Sequence, residues 1–136
     1  MLDNLSVAVF VLKLAFAGFF SALFLQSGID KLINFRENLE WLQSHFSKTF
    51  FSRIVPFLLA FLTLLEVTTG SLSLFGFFDI LINDGSSKPA FYGSILSLVC
   101  FICLFTTQRI AKDYQGAVSI ASYFTVAALS VIIQSV

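Results

Sequence analysis

The chain has 136 residues, of which eight are basic and eight acidic, so its formal net charge is zero. Hydrophobic residues make up 57% of the chain and charged residues 12%, against about 25% charged residues in an average soluble domain, and the mean hydropathy is +0.91. A soluble domain of this size cannot hide so much apolar surface, and a basic stripe for nucleic acid is missing, so the composition predicts one membrane domain over residues 1–136 whose partner is the lipid bilayer.

Four apolar segments approach or reach the roughly 20 residues that an α-helix needs to cross a bilayer. In chain order they are residues 5–25, 54–78, 89–107 and 116–133. Each is predicted to be helical, because the bilayer interior offers the backbone no other hydrogen-bond partner. Lys13 interrupts the first segment and Glu66 the second. The predicted fold class is all-α, an integral membrane four-helix bundle.

The segment between the first two spans has the pattern of an amphipathic helix. Its apolar side chains recur at helical spacing, at Phe35, Leu39, Leu42 and Phe46. Asn34 followed by Glu37 has the form of an N-cap with a supporting acid. We predict an additional interfacial helix over residues 34–47 that lies on the membrane surface. The alternative is a helix packed against a protein partner.

Two polar connections join the remaining spans, a loop signal at 83–87 and a short turn at 108–115. Six basic residues fall on the side of the membrane that carries the 26–53 and 108–115 segments, namely Lys31, Arg36, Lys48, Arg53, Arg109 and Lys112. The other side carries Lys88. The positive-inside rule therefore predicts a bacterial inner (cytoplasmic) membrane protein with these segments in the cytoplasm and both termini in the periplasm.

Lys13 and Glu66 lie within apolar spans, where a charge costs about 2.5–3.5 kcal/mol on insertion scales. At 1.5 Å per residue from the predicted span ends, both lie about 12 Å from the outer face, on antiparallel neighbours. We predict that they pair or share one polar pocket. Thr63, Gly70 and Ser73 share a helical face with Glu66, where small residues let helices approach and hydroxyls can donate to the carboxylate.

Two interpretations of this intramembrane pair stay open. It is either a structural ion pair that fixes the helix register, or a proton or ligand site, for instance for a quinone or a lipid head group. The sequence does not identify catalytic residues, and it offers no cluster typical of a metal site.

A second polar group is predicted at the cytoplasmic edge, where the turn between the last two spans lies level with the end of the first. Its members are Asp30, Lys31, Gln108, Arg109, Lys112 and Asp113. Ordinary interfacial anchoring and a docking site for a head group or a subunit are the two interpretations. Cys100 and Cys103 lie three residues apart in an apolar run without a nearby charge, which favours packing over thiol chemistry.

Three stretches of the chain resemble DoxX-like membrane proteins. In Gly18–Leu32 an apolar helix ends in a small residue, Gly, two residues and Lys, as in the family's first-helix signature. The second span is similar to the family's second helix in having Pro56, Glu66, Gly70 and Gly76. Gln108–Tyr114, followed by Gly116 and Ala117, is similar to the third-to-fourth connection of bacterial members.

The resemblance implies a compact four-helix bundle in a bacterial inner membrane. The family takes its name from a subunit of an archaeal thiosulfate:quinone oxidoreductase, and other members are linked to membrane redox complexes and thiol stress. Fold analogy alone does not assign a function.

Two function hypotheses follow. The first is an accessory subunit of a larger membrane complex, without a cofactor or catalytic activity of its own, that packs small-residue faces against partner helices. Candidate faces are Gly93 with Ser97 and Ala117 with Ala121. The second is a quinone-linked oxidoreductase subunit with a head-group pocket near Lys13 and Glu66. A bound lipid is the other candidate ligand of that pocket.

Overall fold

The computed structural model describes residues 2–47, 49–83, 85 and 87–136. This part of the chain is all-α, and its helices are α1 (Leu2–Ile33), α2 (Phe35–Phe46), α3 (Val55–Ile82), α4 (Lys88–Ile110) and α5 (Tyr114–Ser135), with a 3-10 turn at Phe50–Arg53. All except α2 are long and apolar enough to cross a membrane. The four predicted spans are confirmed as helices, and they fit a multi-pass membrane protein.

The helices are longer than the apolar segments that predicted them. α1 continues past residue 25 to Ile33, through polar residues that the hydropathy pattern placed outside the span. In this extension Ser27 and Lys31 make side-chain hydrogen bonds inside the bundle. α3 likewise ends at Ile82 instead of residue 78. Hydropathy therefore marks where a helix is apolar, while caps and tertiary contacts decide where it ends.

The four long helices pack in the order α1, α3, α4, α5. α1 packs mainly on α3, α3 also packs on α4, and α4 packs on α5, whereas α1 and α5 meet in few places. Glycines permit the closest approaches. A Cβ atom on Gly70 would lie 2.8 Å from the backbone nitrogen of Leu25, and one on Gly76 would lie 2.6 Å from the backbone nitrogen of Ala90. Because α1 and α5 make few contacts, the bundle is only weakly closed between these two helices, and we call this line the seam.

The predicted amphipathic helix is present as α2. Its buried side chains Leu42 and Phe46 pack against Val55 and Leu59 of α3, with Ile110 of α4 beside them. The apolar face of α2 is thus covered by the same chain. Its placement on the membrane surface stays a prediction.

Asn34 occupies the predicted N-cap position of α2, but its side chain makes no capping hydrogen bond. Its side-chain nitrogen donates instead to Asp30 Oδ1, at 2.8 Å. Asn38 donates to the backbone oxygen of Asn34 at 2.9 Å. These three residues make a polar group where α1 meets α2. We call this end of the bundle the α2 end.

Local capping sets the connection between α3 and α4. Gly85 has φ 98°, a backbone conformation that L side chains rarely adopt, and its N–H donates to Ile80 O at 3.0 Å. Ser87 accepts from the backbone N–H of Ala90 at 3.1 Å and so caps α4. Asp84 and Ser86 of the predicted loop lie outside the described residues, as does Lys48.

Candidate functional site

The predicted pairing of Lys13 with Glu66 is wrong. The Lys13 ammonium donates to the backbone oxygens of Gly85, at 2.8 Å, and Val136, at 3.2 Å. The Glu66 carboxylate pairs instead with Lys31, whose Nζ lies 3.0 Å from Oε2. The two buried charged side chains therefore have different partners and lie in different parts of the bundle. We call the end of the bundle that holds Lys13, Gly85 and Val136 the Lys13 end.

The register between α1 and α3 explains the error. Gly28 of α1 faces Val67 of α3, and Gly18 faces Phe77, so each step along α1 matches one step back along α3. The same register sets Lys13 opposite Ile82, at the last turn of α3. Ile82 and Glu66 are sixteen residues apart, or about 24 Å along a helix. The depths of Lys13 and Glu66 were counted from the predicted span ends, and α1 extends eight residues beyond its predicted end at residue 25. The count therefore missed the separation of the two residues.

The Glu66 side chain is the centre of the candidate site. It is 1% exposed, and Ser27 Oγ donates to its Oε2 atom at 2.8 Å. Lys31 Nζ donates in turn to Ser27 Oγ at 2.7 Å. The Oε2 atom thus contacts both the Ser27 hydroxyl and the Lys31 ammonium, and these two groups also contact each other. The other oxygen, Oε1, is buried and has no hydrogen-bond partner among the described residues.

The local geometry of α1 builds this arrangement. Ser27 and Lys31 are four residues apart, so they lie on one helix face. Helical side chains lean toward the N-terminus, and the Lys31 stem therefore runs from the end of α1 into the bundle, where its side chain is only 15% exposed. The close approach of Gly28 to Val67 brings the two helices together beside the site, since a Cβ atom on Gly28 would lie 2.6 Å from Val67 Cγ2.

A cavity of about 170 Å³ lies beside the carboxylate. Its lining comes from all four long helices and consists of Leu23, Phe24, Ser27, Lys31, Glu66, Phe101, Leu104, Ile120 and Tyr123. The rings of Phe101 and Tyr123 are stacked with centroids 5.8 Å apart, and those of Phe24 and Phe101 are 5.1 Å apart. The Glu66 cavity therefore has aromatic walls and one ionic corner, and it lies at the seam between α1 and α5.

The predicted polar stripe on α3 serves packing. Thr63 Oγ1 donates to Leu59 O of its own helix at 2.7 Å, and not to Glu66. Gly70 packs against Leu25 of α1. Ser73 packs against Gly93 of α4, where a Cβ atom on Gly93 would be 2.8 Å from the Ser73 hydroxyl. None of the three stripe residues is among the described residues that line the cavity. The hydroxyl donor to Glu66 comes from α1 instead.

The predicted cytoplasmic edge cluster is divided among separate contacts. Lys31 belongs to the buried site, and Asp30 accepts from Asn34. The Arg109 guanidinium lies 4.7 Å from the centre of the Tyr114 ring. Asp113 caps α5 by accepting from the Gly116 N–H at 3.2 Å.

Of the other two members of this cluster, Gln108 lies in the last turn of α4 and Lys112 lies in the connection between α4 and α5. Lys112 is exposed and has φ 62°, and Gln108 Oε1 is buried without a hydrogen-bond partner among the described residues. These contacts are those of helix ends and turns.

The two cysteines have different surroundings. Cys100 is fully buried in the core with Phe20, Phe24 and Phe101, and its Sγ lies 3.3 Å from Thr69 Oγ1. Cys103 is partly buried, and both thiols are free. These positions fit packing residues. Among the described residues, no group of three or more His, Cys, Asp or Glu side chains could hold a metal ion.

Comparisons of the chain with protein family models, with curated proteins and with solved structures give no match. The site must therefore be interpreted from its own geometry.

Ser27 is the site residue that sequence reasoning missed. A serine at the end of an apolar run is common, and nothing in the pattern tied it to Glu66. The spacing of Ser27 and Lys31 was the available signal, because residues four apart on a helix can act on one partner.

Proposed function

We propose that this protein binds the polar head of a lipophilic small molecule at Ser27, Lys31 and Glu66. The observation that carries the proposal is the Glu66 carboxylate, which lines a cavity and whose buried Oε1 atom has no hydrogen-bond partner among the described residues. Leaving a buried charged acceptor unsatisfied costs more than about 1–3 kcal/mol, so a ligand that donates to this atom gains a matching free energy.

The charge of the site selects the chemistry of the head group. Lys31 compensates the Glu66 carboxylate, so the site is neutral as a whole, and an ionic head would add an uncompensated charge. A neutral head with a hydroxyl donor fits better. The rings of Phe24, Phe101 and Tyr123 favour a flat partner, and an apolar tail can leave the cavity into lipid between α1 and α5. A quinol head group has these properties, and a ring-hydroxylated lipid shares them.

This proposal revises the quinone-linked hypothesis from the sequence. The head-group pocket lies near Glu66 and Lys31, and Lys13 has no part in it because it lies at the other end of the bundle. The proposal concerns binding. The cavity offers a binding site for a quinone, but none of its lining residues has an assigned catalytic role.

The test is to identify what the protein carries. The protein is purified in mild detergent, its bound molecules are extracted, and their masses and amounts are measured. We expect one lipophilic molecule per chain in the unchanged protein. In Glu66→Gln its affinity should fall by about ten- to a hundredfold, because a hydrogen bond to a charged group contributes about 1.5–3 kcal/mol.

Lys13→Met is the matched control, since it also removes a buried charge but lies outside the Glu66 cavity. It should keep the ligand. An unchanged protein that carries nothing, or equal retention by Glu66→Gln, would contradict the proposal.

An accessory subunit role, and with it DoxX-like membership, stays a second proposal. Three of the four predicted contact residues, Gly93, Ser97 and Ala117, are buried within this chain. The outer face of α5 supports the role better. Ser119, Ser122 and Thr125 are exposed there at spacings of three, and small or hydroxyl residues are typical of contacts between membrane helices.

We propose a bacterial inner membrane as the location, with the α2 end in the cytoplasm. The basic residues of the connections support this orientation. Arg36, Arg53, Arg109 and Lys112 lie toward the α2 end, and Lys88 lies toward the Lys13 end. Lys31 no longer counts, because it is used inside the bundle. Both termini would then face the periplasm.

A further inference from the structure

We propose that the Glu66 site exchanges water and protons with one side of the membrane only, the side of the α2 end. The inference deepens the proposed function, because protons that a bound ligand gives or takes at Glu66 would be exchanged with that side. The access itself follows from the polar groups and aromatic rings around the site, and it does not require a ligand.

The polar connection runs through Lys31. Its ammonium contacts Glu66 and Ser27, while its backbone lies two residues from the end of α1. The next polar groups toward the α2 end are Asp30 and Asn34, which are hydrogen-bonded to each other. Ser27 and Asn34 are seven residues apart, or about 10 Å along the helix. A partly exposed cation therefore lies between the buried carboxylate and the α2 end.

Aromatic rings block the opposite direction. Phe16, Phe20 and Phe24 follow one another along α1, with centroids 6.5 and 6.0 Å apart, and Phe101 lies 6.2 Å from Phe20 and 5.1 Å from Phe24. Phe20, Phe24 and Phe101 are at most 1% exposed. Ser27 lies fourteen residues, or about 21 Å, from Lys13. On the same stretch of α1 the buried hydroxyl of Ser21 donates to Gly18 O of its own helix at 2.9 Å, so it does not bridge the aromatic column.

Buried hydroxyls in the other half of the bundle do not open a second route. Ser94 and Ser130 bond each other at 2.6 Å, and Ser97 donates to Ser94 O at 2.5 Å. Ser73 is pressed against Gly93. The two cavities at the Lys13 end and the Glu66 cavity have different lining residues throughout, within the described part of the chain.

The groups that face Glu66 and can exchange protons are Lys31 on α1, Cys100 on α4 and Tyr123 on α5. Of these, Lys31 leads to the α2 end, and Cys100 is fully buried in the core. Water that reaches this group of side chains therefore enters from the α2 end.

The test measures access with single cysteines. The native thiols are first removed as Cys100→Ser and Cys103→Ser. Ser27→Cys then places a nearly isosteric thiol in the site. Vesicles of both orientations are treated with a charged, membrane-impermeant methanethiosulfonate, which needs aqueous access to react. Folding of each variant is checked by its elution in detergent.

Three further variants calibrate the result. Asn38→Cys reports the α2 end, Ser135→Cys reports the exposed surface at the Lys13 end, and Ser73→Cys reports the sealed interior. We expect Ser27→Cys to be labelled from the Asn38 side at least about tenfold faster than from the Ser135 side, because only one side supplies water. Ser73→Cys should stay unlabelled from both.

Labelling of Ser27→Cys from the Ser135 side, equally from both sides, or from neither overturns the inference. The binding proposal fails separately. If the protein carries no bound molecule but is labelled from one side only, the binding proposal is wrong and the one-sided access stands. If the protein carries a ligand but is labelled from both sides, the one-sided access is wrong and the binding proposal stands.

Discussion

At the scale of single residues, the central feature is a buried ion pair that shares a hydroxyl. Ser27, Lys31 and Glu66 Oε2 contact one another within 3.0 Å. Bringing two charges out of water costs several kcal/mol each, and only good geometry and further hydrogen bonds recover that cost. Oε1 has no such bond among the described residues, so the site is incompletely compensated. Unfolding experiments on the pair measure this balance.

We predict that Lys31→Met and Glu66→Gln are not additive. Each single change leaves a group without its ionic partner and should lower the free energy of unfolding by about 3–5 kcal/mol. The double variant should lose less than the sum of the single losses, because neither charge then remains buried. Unfolding of the purified protein in detergent measures all three. Additive losses would mean that the ion pair is not coupled.

At the scale of elements, α1 and α3 form the closest helix pair, and their register selects the partner of Glu66. Hydrophobic side chains alone do not fix that register, since leucine and phenylalanine recur on every face of both helices. Gly28 and Gly70 do, because each accepts a side chain of the opposite helix where a Cβ atom would collide. Shifting one helix by a turn would lose both contacts and separate Lys31 from Glu66.

We predict that Gly70→Ala destabilises the bundle while Gly18→Ala does not. An alanine Cβ at position 70 would lie 2.8 Å from the backbone nitrogen of Leu25, so a whole helix must shift, at a cost of about 1–3 kcal/mol. At Gly18 the nearest atoms belong to the Phe77 ring at 3.5 Å, an ordinary contact. Alanine there should gain up to about 1 kcal/mol of helix propensity.

Unfolding in detergent, compared with the unchanged protein, gives both values. Equal effects of the two alanines would show that the close approach at Gly70 does not determine the register.

At the scale of the whole molecule, the bundle has one weakly closed side. α1 and α5 meet in few places, the Glu66 cavity lies at their seam, and α5 is the least covered of the four spans. A ligand tail and a partner helix would both approach from this side. An accessory role and a ligand-binding role are therefore compatible in one molecule.

We predict that Ser122→Leu disrupts a partner contact if α5 docks a neighbouring helix. Ser122 is exposed, and a leucine there prevents close backbone approach. Co-purification of a stoichiometric partner in mild detergent should be lost in this variant. Thr68→Leu, which changes an exposed hydroxyl residue of α3, is the control and should keep the partner. Retention in both variants would remove α5 as the docking face.

Several features of this protein follow from short stretches of sequence. The four spans follow from hydropathy, α2 from the spacing of Phe35 to Phe46, and the α3–α4 connection from the loop signal at 83–87. The buried, charged positions Lys13 and Glu66 were also identified, because a charge within an apolar span is visible without a structure. The location of α2 at the membrane surface and the family resemblance stay predictions.

Amino-acid order alone determined which segments are helical and that Glu66 needs a partner, since both depend on local chemistry and the bilayer. Only the tertiary structure decided that this partner is Lys31 with Ser27, and not Lys13. The physical reason is that the register of two antiparallel helices depends on where side chains fit against glycines of the opposite helix. A shift of sixteen residues in that register changes no local pattern, yet it moves the partner by about 24 Å.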